Sequence, residues 1–182
     1  MFLIETARLL LRPFAATDAS AVQRLVGDWN VAKFLALVPH PYPAGLAAKW
    51  ISTHGPLAED GAEYTFAITR KPAGDLIGAI SLTPRPGKYG AIGYWLGHDH
   101  WGQGYATEAV QCVEALAFDW LDLPQLSTVT RKNNLASQRV LEKSHFRQTG
   151  YIHLRFRDEP ALQPFVTYRV AREAWRSARN GS

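Results

Sequence analysis

The segment WGQGYATEA (101–109) combines residue types and spacing that could bind and position an anionic ligand. Glycines at 102 and 104 let the backbone approach a ligand closely, and a helical pattern of apolar residues follows them directly. The first turn of a helix presents free N–H groups and the positive end of the helix dipole, which attract phosphate. The segment therefore predicts a phosphate-binding turn; the alternative is a tight strand-to-helix connection that binds nothing.

Two better-known phosphate-binding motifs fit this chain less well. A dinucleotide fingerprint requires Gly-x-Gly-x-x-Gly within a βαβ unit, but the sixth position counted from Gly102 is Thr107 and the preceding strands look like hairpins. A nucleotide P-loop requires Gly-Lys followed by Ser or Thr, whereas the pair Gly87-Lys88 is followed by Tyr89. The spacing therefore disfavours both interpretations.

The elements that must position the turn are predicted from hydrophobic periodicity. A strand is expected in ARLLLRPF (7–14), a helix N-capped by Asp18 follows it, and a second helix is expected over 44–58. Three short β-branched and aromatic runs predict an antiparallel meander, and the segments 39–45 and 83–90 predict turns. The meander runs are EYTFAITR (63–70), DLIGAISL (75–82) and YGAIGYWLG (89–97); then come a helix over 106–120, a strand at 126–130, a helix at 136–143 and strands near 146–156 and 164–171.

Length and composition limit the possible classes of protein. With 182 residues, 47% hydrophobic and 20% charged, the chain is expected to fold as one domain over 1–182. The net charge of +4 is spread from Arg8 to Arg179 without the aromatic and basic interleaving of RNA-binding motifs, so nucleic acid is not an expected partner. Charged residues or His interrupt every long apolar segment, so a membrane is not an expected partner either. Cys112 is the only cysteine, which excludes an intrachain disulfide and predicts a cytoplasmic protein without a cysteine metal site.

A family resemblance extends over almost the whole chain. The segment IGYWLGHDHWGQGYATEA (92–109) resembles motif A of the GNAT family of N-acetyltransferases, with Trp101 in the first slot and with Gly104 and Ala106 matching. Segments 5–22, 134–146 and 168–175 resemble the RimJ/RimL-like branch, which acetylates ribosomal proteins. The resemblance implies an α/β (α+β) fold: a mixed central sheet with an antiparallel meander, flanking helices and splayed central strands.

The resemblance also implies a co-substrate, an acceptor and site residues. The co-substrate is acetyl-coenzyme A, used without a metal, and the acceptor is an amine on a peptide or protein N-terminus or on a small molecule. Asn134 would contact the pantetheine region or simply cap its helix, and Ser137 would protonate the departing thiolate or be an ordinary residue of a first helical turn. Backbone groups would bind the pantetheine arm at Tyr94, Trp95 and Leu96, and the pyrophosphate at Gln103, Gly104, Tyr105, Ala106 and Thr107.

Two departures from the branch leave questions open. Ala91 occupies a position where many members carry Glu, so the general base remains open among His98, Asp99, His100, Glu108, a water chain and an amine that arrives neutral. A non-catalytic sensor of acetyl-coenzyme A is therefore the alternative function. His145 replaces the usual Gly after a helix, where a left-handed conformation would cost about 1 kcal/mol. The acceptor pocket is expected to involve Trp29, Phe34 and Trp50, unless these are core aromatics.

Overall fold

A computed structural model describes residues 2–85, 89–157 and 159–180. The segment before the meander contains two strands and four helices, where the sequence predicts one strand and two helices. A seven-residue and a six-residue helix replace the single helix expected over 44–58. The elements are β1 (Ile4–Glu5), β2 (Leu9–Arg12), α1 (Ala19–Gly27), α2 (Trp29–Ala32), α3 (Leu46–Ser52) and α4 (His54–Glu59).

The prediction that the Asp18 side chain caps α1 is wrong, because this side chain makes no hydrogen bond to the first turn of the helix. Asp18 immediately precedes α1, but its carboxylate accepts hydrogen bonds from both terminal nitrogens of Arg12, at 2.7 and 2.8 Å, and from the Ala15 N–H at 2.8 Å. A bidentate, charge-assisted pair is stronger than a neutral cap bond. The carboxylate therefore ties the end of β2 to the turn before α1.

The rest of the chain follows the predicted order of elements closely. The meander is confirmed, although residues 86–88 of the turn predicted at 83–90 lie outside the described residues. The long helix ends as an α-helix at Ala115 and continues into a π-helical turn over Leu116–Trp120, and a C-terminal helix was not predicted. The elements are β3 (Tyr64–Arg70), β4 (Asp75–Arg85), β5 (Tyr89–Leu96), α5 (Tyr105–Ala115), β6 (Gln125–Arg131), α6 (Leu135–Lys143), β7 (Arg147–Leu154), β8 (Gln163–Ala171) and α7 (Arg172–Asn180).

One mixed sheet contains all eight described strands, in the order β1-β2-β3-β4-β5-β6-β8-β7. Its one parallel pair joins β5 to β6, and this pairing covers only Gly90 opposite Leu126 and Ala91 opposite Ser127. The Thr128 hydroxyl then donates to the carbonyl oxygen of Ile92 at 2.9 Å. Beyond this bond no further β5–β6 register exists among the described residues, so the two strands separate. The predicted fold class, including the splayed central strands, is confirmed.

The two faces of the sheet pack against different helices. Because side chains alternate along a strand, Ile80, Ile92 and Leu96 join α5 in the larger core, whereas Ala67 and Trp95 join α1 and α3 in a smaller one. Fully burying an aliphatic or aromatic side chain contributes about 1.5–3 kcal/mol. The larger and the smaller core therefore stabilise the sheet around the separated strands from its two opposite faces.

His145, which stands after α6 in place of the usual glycine, adopts the left-handed conformation despite its cost. His145 has φ +63°, and the N–H of Phe146 donates to the carbonyl oxygen of Leu141 at 3.1 Å, which closes the helix end. The ring of His145 also contacts the buried carboxyl group of Glu114 in α5, with Nδ1 3.1 Å from Oε2. Glycine would adopt this backbone conformation more easily than His145 does, but glycine could not make the contact with Glu114.

Candidate active site

The separation of β5 from β6 opens a cleft of about 1350 Å³ that passes between the two faces of the sheet. Every residue predicted to contact the co-substrate lines this cleft except Gln103, and Ser137 lines it as well. Pockets for drug-sized ligands usually measure about 300–1000 Å³, so this cleft has room for a larger ligand or for two ligands together. These predicted site residues, which are separated by up to 43 positions in the sequence, from Tyr94 to Ser137, therefore lie together in one cleft.

The predicted phosphate-binding turn has the backbone geometry that an anion site requires. Gly102 and Gly104 have φ values of +73° and +83°, and α5 begins at Tyr105 without a side-chain cap. The first helical bond runs from the N–H of Glu108 to the carbonyl of Gly104 at 3.1 Å. The N–H groups of Tyr105, Ala106 and Thr107 precede that bond, so they lack helical acceptors and remain available to a phosphate.

Arg8 fixes this turn from the neighbouring strand region. Its guanidinium lies 2.6 Å from the Glu108 carboxylate, donates to the carbonyl oxygen of Gln103 at 2.9 Å, and stacks over the Tyr105 ring at 4.7 Å. Burial raises the pKa of Glu108, but hydrogen bonds from Thr6 and Arg8 outweigh it and lower the pKa overall. Glu108 thus holds the turn in place as a carboxylate, which argues against it as the general base.

The other end of the cleft brings a tyrosine and a serine together. The Tyr94 hydroxyl lies 2.9 Å from the Ser137 Oγ, at the first turn of α6. Asn134 is the N-cap of that helix, since its Oδ1 accepts from the backbone N–H of Ser137 at 3.2 Å. The amide nitrogen of Asn134 is not used by this bond, so capping and ligand contact are compatible roles.

The remaining candidate bases occupy different environments. Asp99 and His98 are exposed, and the His98 ring packs edge-on against Trp101 at 5.0 Å. His100 lines the cleft; burial, with a smaller contribution from the positive charge of Arg70, lowers its pKa. Gln103 is exposed and donates to the carbonyl oxygen of Asp99 at 2.9 Å, so it shapes the turn from outside the cleft.

Two of the three aromatic residues expected at the acceptor pocket line the cleft. These are Phe34 and Trp50, whereas Trp29 packs at a tilt against His40 with 4.9 Å between ring centroids. Sequence inspection missed Glu63, which also lines the cleft. No spacing rule could have found it, because only the pairing of β3 with β4 brings its carboxyl group to Thr83.

Comparison with known proteins agrees with this geometry. Residues 8–147 match the family model described as "Acetyltransferase (GNAT) domain". The chain belongs to the GNAT acetyltransferase family. It is 38% identical over 148 residues to "Probable N-acetyltransferase YjcK" of Bacillus subtilis (strain 168), a match covering 78% of this chain and 82% of that protein. This GNAT protein is an acetyl-coenzyme A-dependent acetyltransferase.

Solved structures share the fold at lower sequence identity. A GNAT-family acetyltransferase from Bacillus anthracis has a TM-score of 0.83 and 22% identity, with 94% of this chain and 99% of that chain covered. RimL, a ribosomal L7/L12 alpha-N-protein acetyltransferase solved with coenzyme A, has a TM-score of 0.83 and 21% identity over 95% of this chain and 99% of its own. The free amides at α5 and the unpaired edge of β5 fit acetyl-coenzyme A as co-substrate.

The described residues form neither a metal-ligand cluster nor a membrane-spanning helix. Within residues 2–85, 89–157 and 159–180, no three His, Cys, Asp or Glu side chains converge as metal ligands. None of the helices in these ranges has both the length and the apolar character needed to cross a bilayer.

Proposed function

We propose that this acetyltransferase modifies a primary amine at the N-terminus of a peptide or protein, as a member of the RimJ/RimL-like branch. The observation that carries the proposal is one continuous cleft, which joins the free amides of α5 and the Tyr94–Ser137 pair to an aromatic compartment at Phe34 and Trp50. The likeness to RimL, which modifies a protein α-amine, supports the choice of acceptor. The proposal includes a single domain over 1–182 and a cytoplasmic location.

In this proposal the donor lies along the unpaired edge of β5. Backbone groups of Tyr94, Trp95 and Leu96 bind the pantetheine arm, and the amide nitrogen of Asn134 assists them. The pyrophosphate is received by the turn at Gln103 and Gly104 and by the first residues of α5, where amides and the helix dipole favour negative charge. Arg8 keeps this turn in its binding conformation through Glu108.

The reaction requires proton transfers at two positions. An alkylammonium must lose a proton before its nitrogen can form a bond to the acetyl carbonyl carbon. The carbon–sulfur bond then breaks, and the thiolate takes up a proton supplied through Ser137. Since the nitrogen loses a second proton as the amide forms, the products are the acetamide, coenzyme A thiol and one released proton. A backbone N–H on the free edge of β5 stabilises the negative charge that develops on the carbonyl oxygen.

A non-catalytic sensor of acetyl-coenzyme A is the second candidate, favoured by the absence of a carboxyl group at Ala91. An acetyl-coenzyme A consumption assay separates the two. The acceptors are peptides beginning with Ala, Ser or Met, spermidine as a small polyamine, and an aminoglycoside. We expect turnover with at least one peptide. Preferential turnover of the polyamine or aminoglycoside would show a small-molecule acceptor, and binding of the donor without any turnover would support the sensor.

A further inference from the structure

Glu63 carries the only carboxyl group among the described residues that line the cleft. It lies in the turn before β3 and is partly buried. The Thr65 hydroxyl donates to its Oε1 at 2.7 Å, and the Thr83 hydroxyl donates to its Oε2 at 3.2 Å. Two hydroxyls from neighbouring strands therefore fix the carboxyl group in one orientation.

No cation neutralises this carboxylate within the described part of the chain. None of the ion pairs formed there includes Glu63. The nearby His54 is buried, which lowers its pKa, although the charge of Glu63 opposes that shift. A neutral imidazole does not balance a carboxylate. A partly buried anion in an apolar cleft is stabilised when a cation binds beside it.

The strand register places Glu63 on the side of the sheet opposite to α5. Thr83 lies opposite Ala91, and Ser81 lies opposite Gly93, so these side chains share the face that carries Trp95. Tyr94 points to the other face, where it bonds to Ser137. The carboxyl group and the hydroxyl pair thus reach the separated strands from opposite faces.

Small residues leave the space beside Glu63 open toward the splayed strands. Ala91 carries only a methyl group, and Gly93 is exposed to the cleft. A Cβ at Gly93 would meet its nearest neighbour, the Ser81 Oγ, at an ordinary 3.7 Å, so crowding does not explain the glycine. Trp50 and Trp95, with ring centroids 6.5 Å apart, form an aromatic wall on the same face.

We propose that Glu63 binds the ammonium group of the acceptor and accepts its proton, with Trp50 and Trp95 flanking the acceptor. This inference rests on the proposed acetyltransferase function and specifies an acceptor that arrives as a cation. A carboxylate attracts the alkylammonium, and aromatic faces contribute further cation–π attraction. The proton moves from the ammonium nitrogen to a carboxylate oxygen and then to solvent, which leaves a neutral amine for attack on the thioester.

The test compares the wild type with Glu63→Gln and with the matched control Glu59→Gln, whose side chain lies on the exposed part of α4. The glutamine amide has the same shape and can bond to both threonine hydroxyls, accepting from one and donating to the other, so the main change is the loss of charge. The first readout is kcat/KM for whichever of the acceptors named above the wild type turns over best. We expect Glu63→Gln to lower it roughly ten- to a hundredfold, with unchanged acetyl-coenzyme A affinity, and Glu59→Gln to match the wild type.

A neutral nucleophile separates charge recognition from a general structural defect. A peptide bearing an N-terminal aminooxyacetyl group presents an uncharged nucleophilic nitrogen at neutral pH. Its transfer rate should be the same, within about twofold, in the wild type and in Glu63→Gln, because no ammonium has to be bound or deprotonated. An equal loss with both acceptors would overturn the proposal.

A binding measurement tests the ammonium site at Glu63 independently of whether the protein transfers an acetyl group. In the presence of coenzyme A, millimolar n-butylammonium should raise the unfolding temperature of the wild type and of Glu59→Gln but not of Glu63→Gln. Identical shifts in all three proteins, or no shift in the wild type, would overturn the cation site even if acetylation is observed.

If Glu63→Gln does not fold, Thr83→Val provides a second test, because it removes one of the two hydroxyls that fix the Glu63 carboxyl group. This variant should reduce amine turnover about threefold to tenfold, and an unchanged rate would count against the proposal.

Discussion

The hydroxyl of Tyr94 lies 2.9 Å from the hydroxyl of Ser137 and joins β5 to the first turn of α6 across the cleft. Burial raises the pKa of Tyr94, which keeps the phenol protonated at neutral pH. The phenol can therefore donate its proton to the serine oxygen while the serine proton is directed to a departing thiolate. The pair is thus suited to the proton-donor role that we propose for Ser137.

Ser137→Ala tests this arrangement. We expect kcat to fall roughly ten- to a thousandfold, in the lower half of that range because solvent can also protonate a thiolate, with nearly unchanged acetyl-coenzyme A affinity. Alanine retains the backbone N–H that Asn134 caps and the carbonyl that also accepts from Tyr94, so loss of the bond between the hydroxyls should change the free energy of unfolding by at most about 1 kcal/mol. Steady-state kinetics and calorimetry measure the two effects. Full activity would remove Ser137 from the mechanism.

Acetyl-coenzyme A should stabilise the folded chain. A ligand that binds only the native state raises its stability by about 1.4 kcal/mol for each tenfold increase of concentration above the dissociation constant. Thermal unfolding in increasing acetyl-coenzyme A measures this, with NAD and ATP as controls that should act much more weakly. A flat response up to millimolar acetyl-coenzyme A would contradict the assignment of the cleft.

Periodicity and turn chemistry made much of the fold predictable. The meander strands are short, β-branched and bounded by Pro and Gly, and the apolar stripe of α5 has a helical period, so local sequence determines both. The π-helical turn at Leu116–Trp120 continues the same stripe, and periodicity does not distinguish it from an α-helix. Asp18 was misassigned because its bond to Arg12 depends on where β2 ends.

Local sequence indicates the part of the proposed site that is formed by a glycine-containing turn. It does not indicate the part that depends on pairing between distant strands. Gly102 and Gly104 mark the proposed phosphate-binding turn in the sequence, because glycine suits the positive φ values that this turn adopts. Glu63 gives no such signal: its cleft position depends on the pairing of Thr83 with Ala91 and on the separation of β5 from β6. Long-range pairing of this kind is not encoded in any local spacing.

Gly104→Ala probes the phosphate-binding turn, with Gly74→Ala as a matched control. Both glycines have φ near +80°, so alanine should cost each variant about 1 kcal/mol of stability. At Gly104 the new Cβ would also lie 3.3 Å from the Arg8 Nη2, whereas at Gly74 it would meet nothing within 4 Å. Only Gly104→Ala should weaken acetyl-coenzyme A binding, by about tenfold or more, as measured by calorimetry. Equal affinities would contradict the assignment of this turn.

Glu114 provides a test of stability away from the cleft. Its side chain in α5 is fully buried, with Oε2 3.1 Å from the His145 Nδ1. Burial raises its pKa to about 8, a shift that the nearby Trp175 indole opposes. Between the ordinary pKa of about 4.5 and the raised value, the folded chain holds a proton that the unfolded chain has released.

Stability should therefore fall as the pH rises through this window. The contribution of Glu114 is complete below about pH 4.5 and is lost as the pH approaches 8. Glu114→Gln keeps a neutral side chain at every pH, so the wild type should lose stability relative to this variant by on the order of 5 kcal/mol between these limits, at about 1.36 kcal/mol for each pKa unit. Glu173→Gln, an exposed change on α7, should show no such pH dependence. Chemical unfolding at a series of pH values measures the difference between variant and wild type. A difference that stays constant with pH would mean that the buried carboxyl group ionises at its ordinary pH in the folded chain.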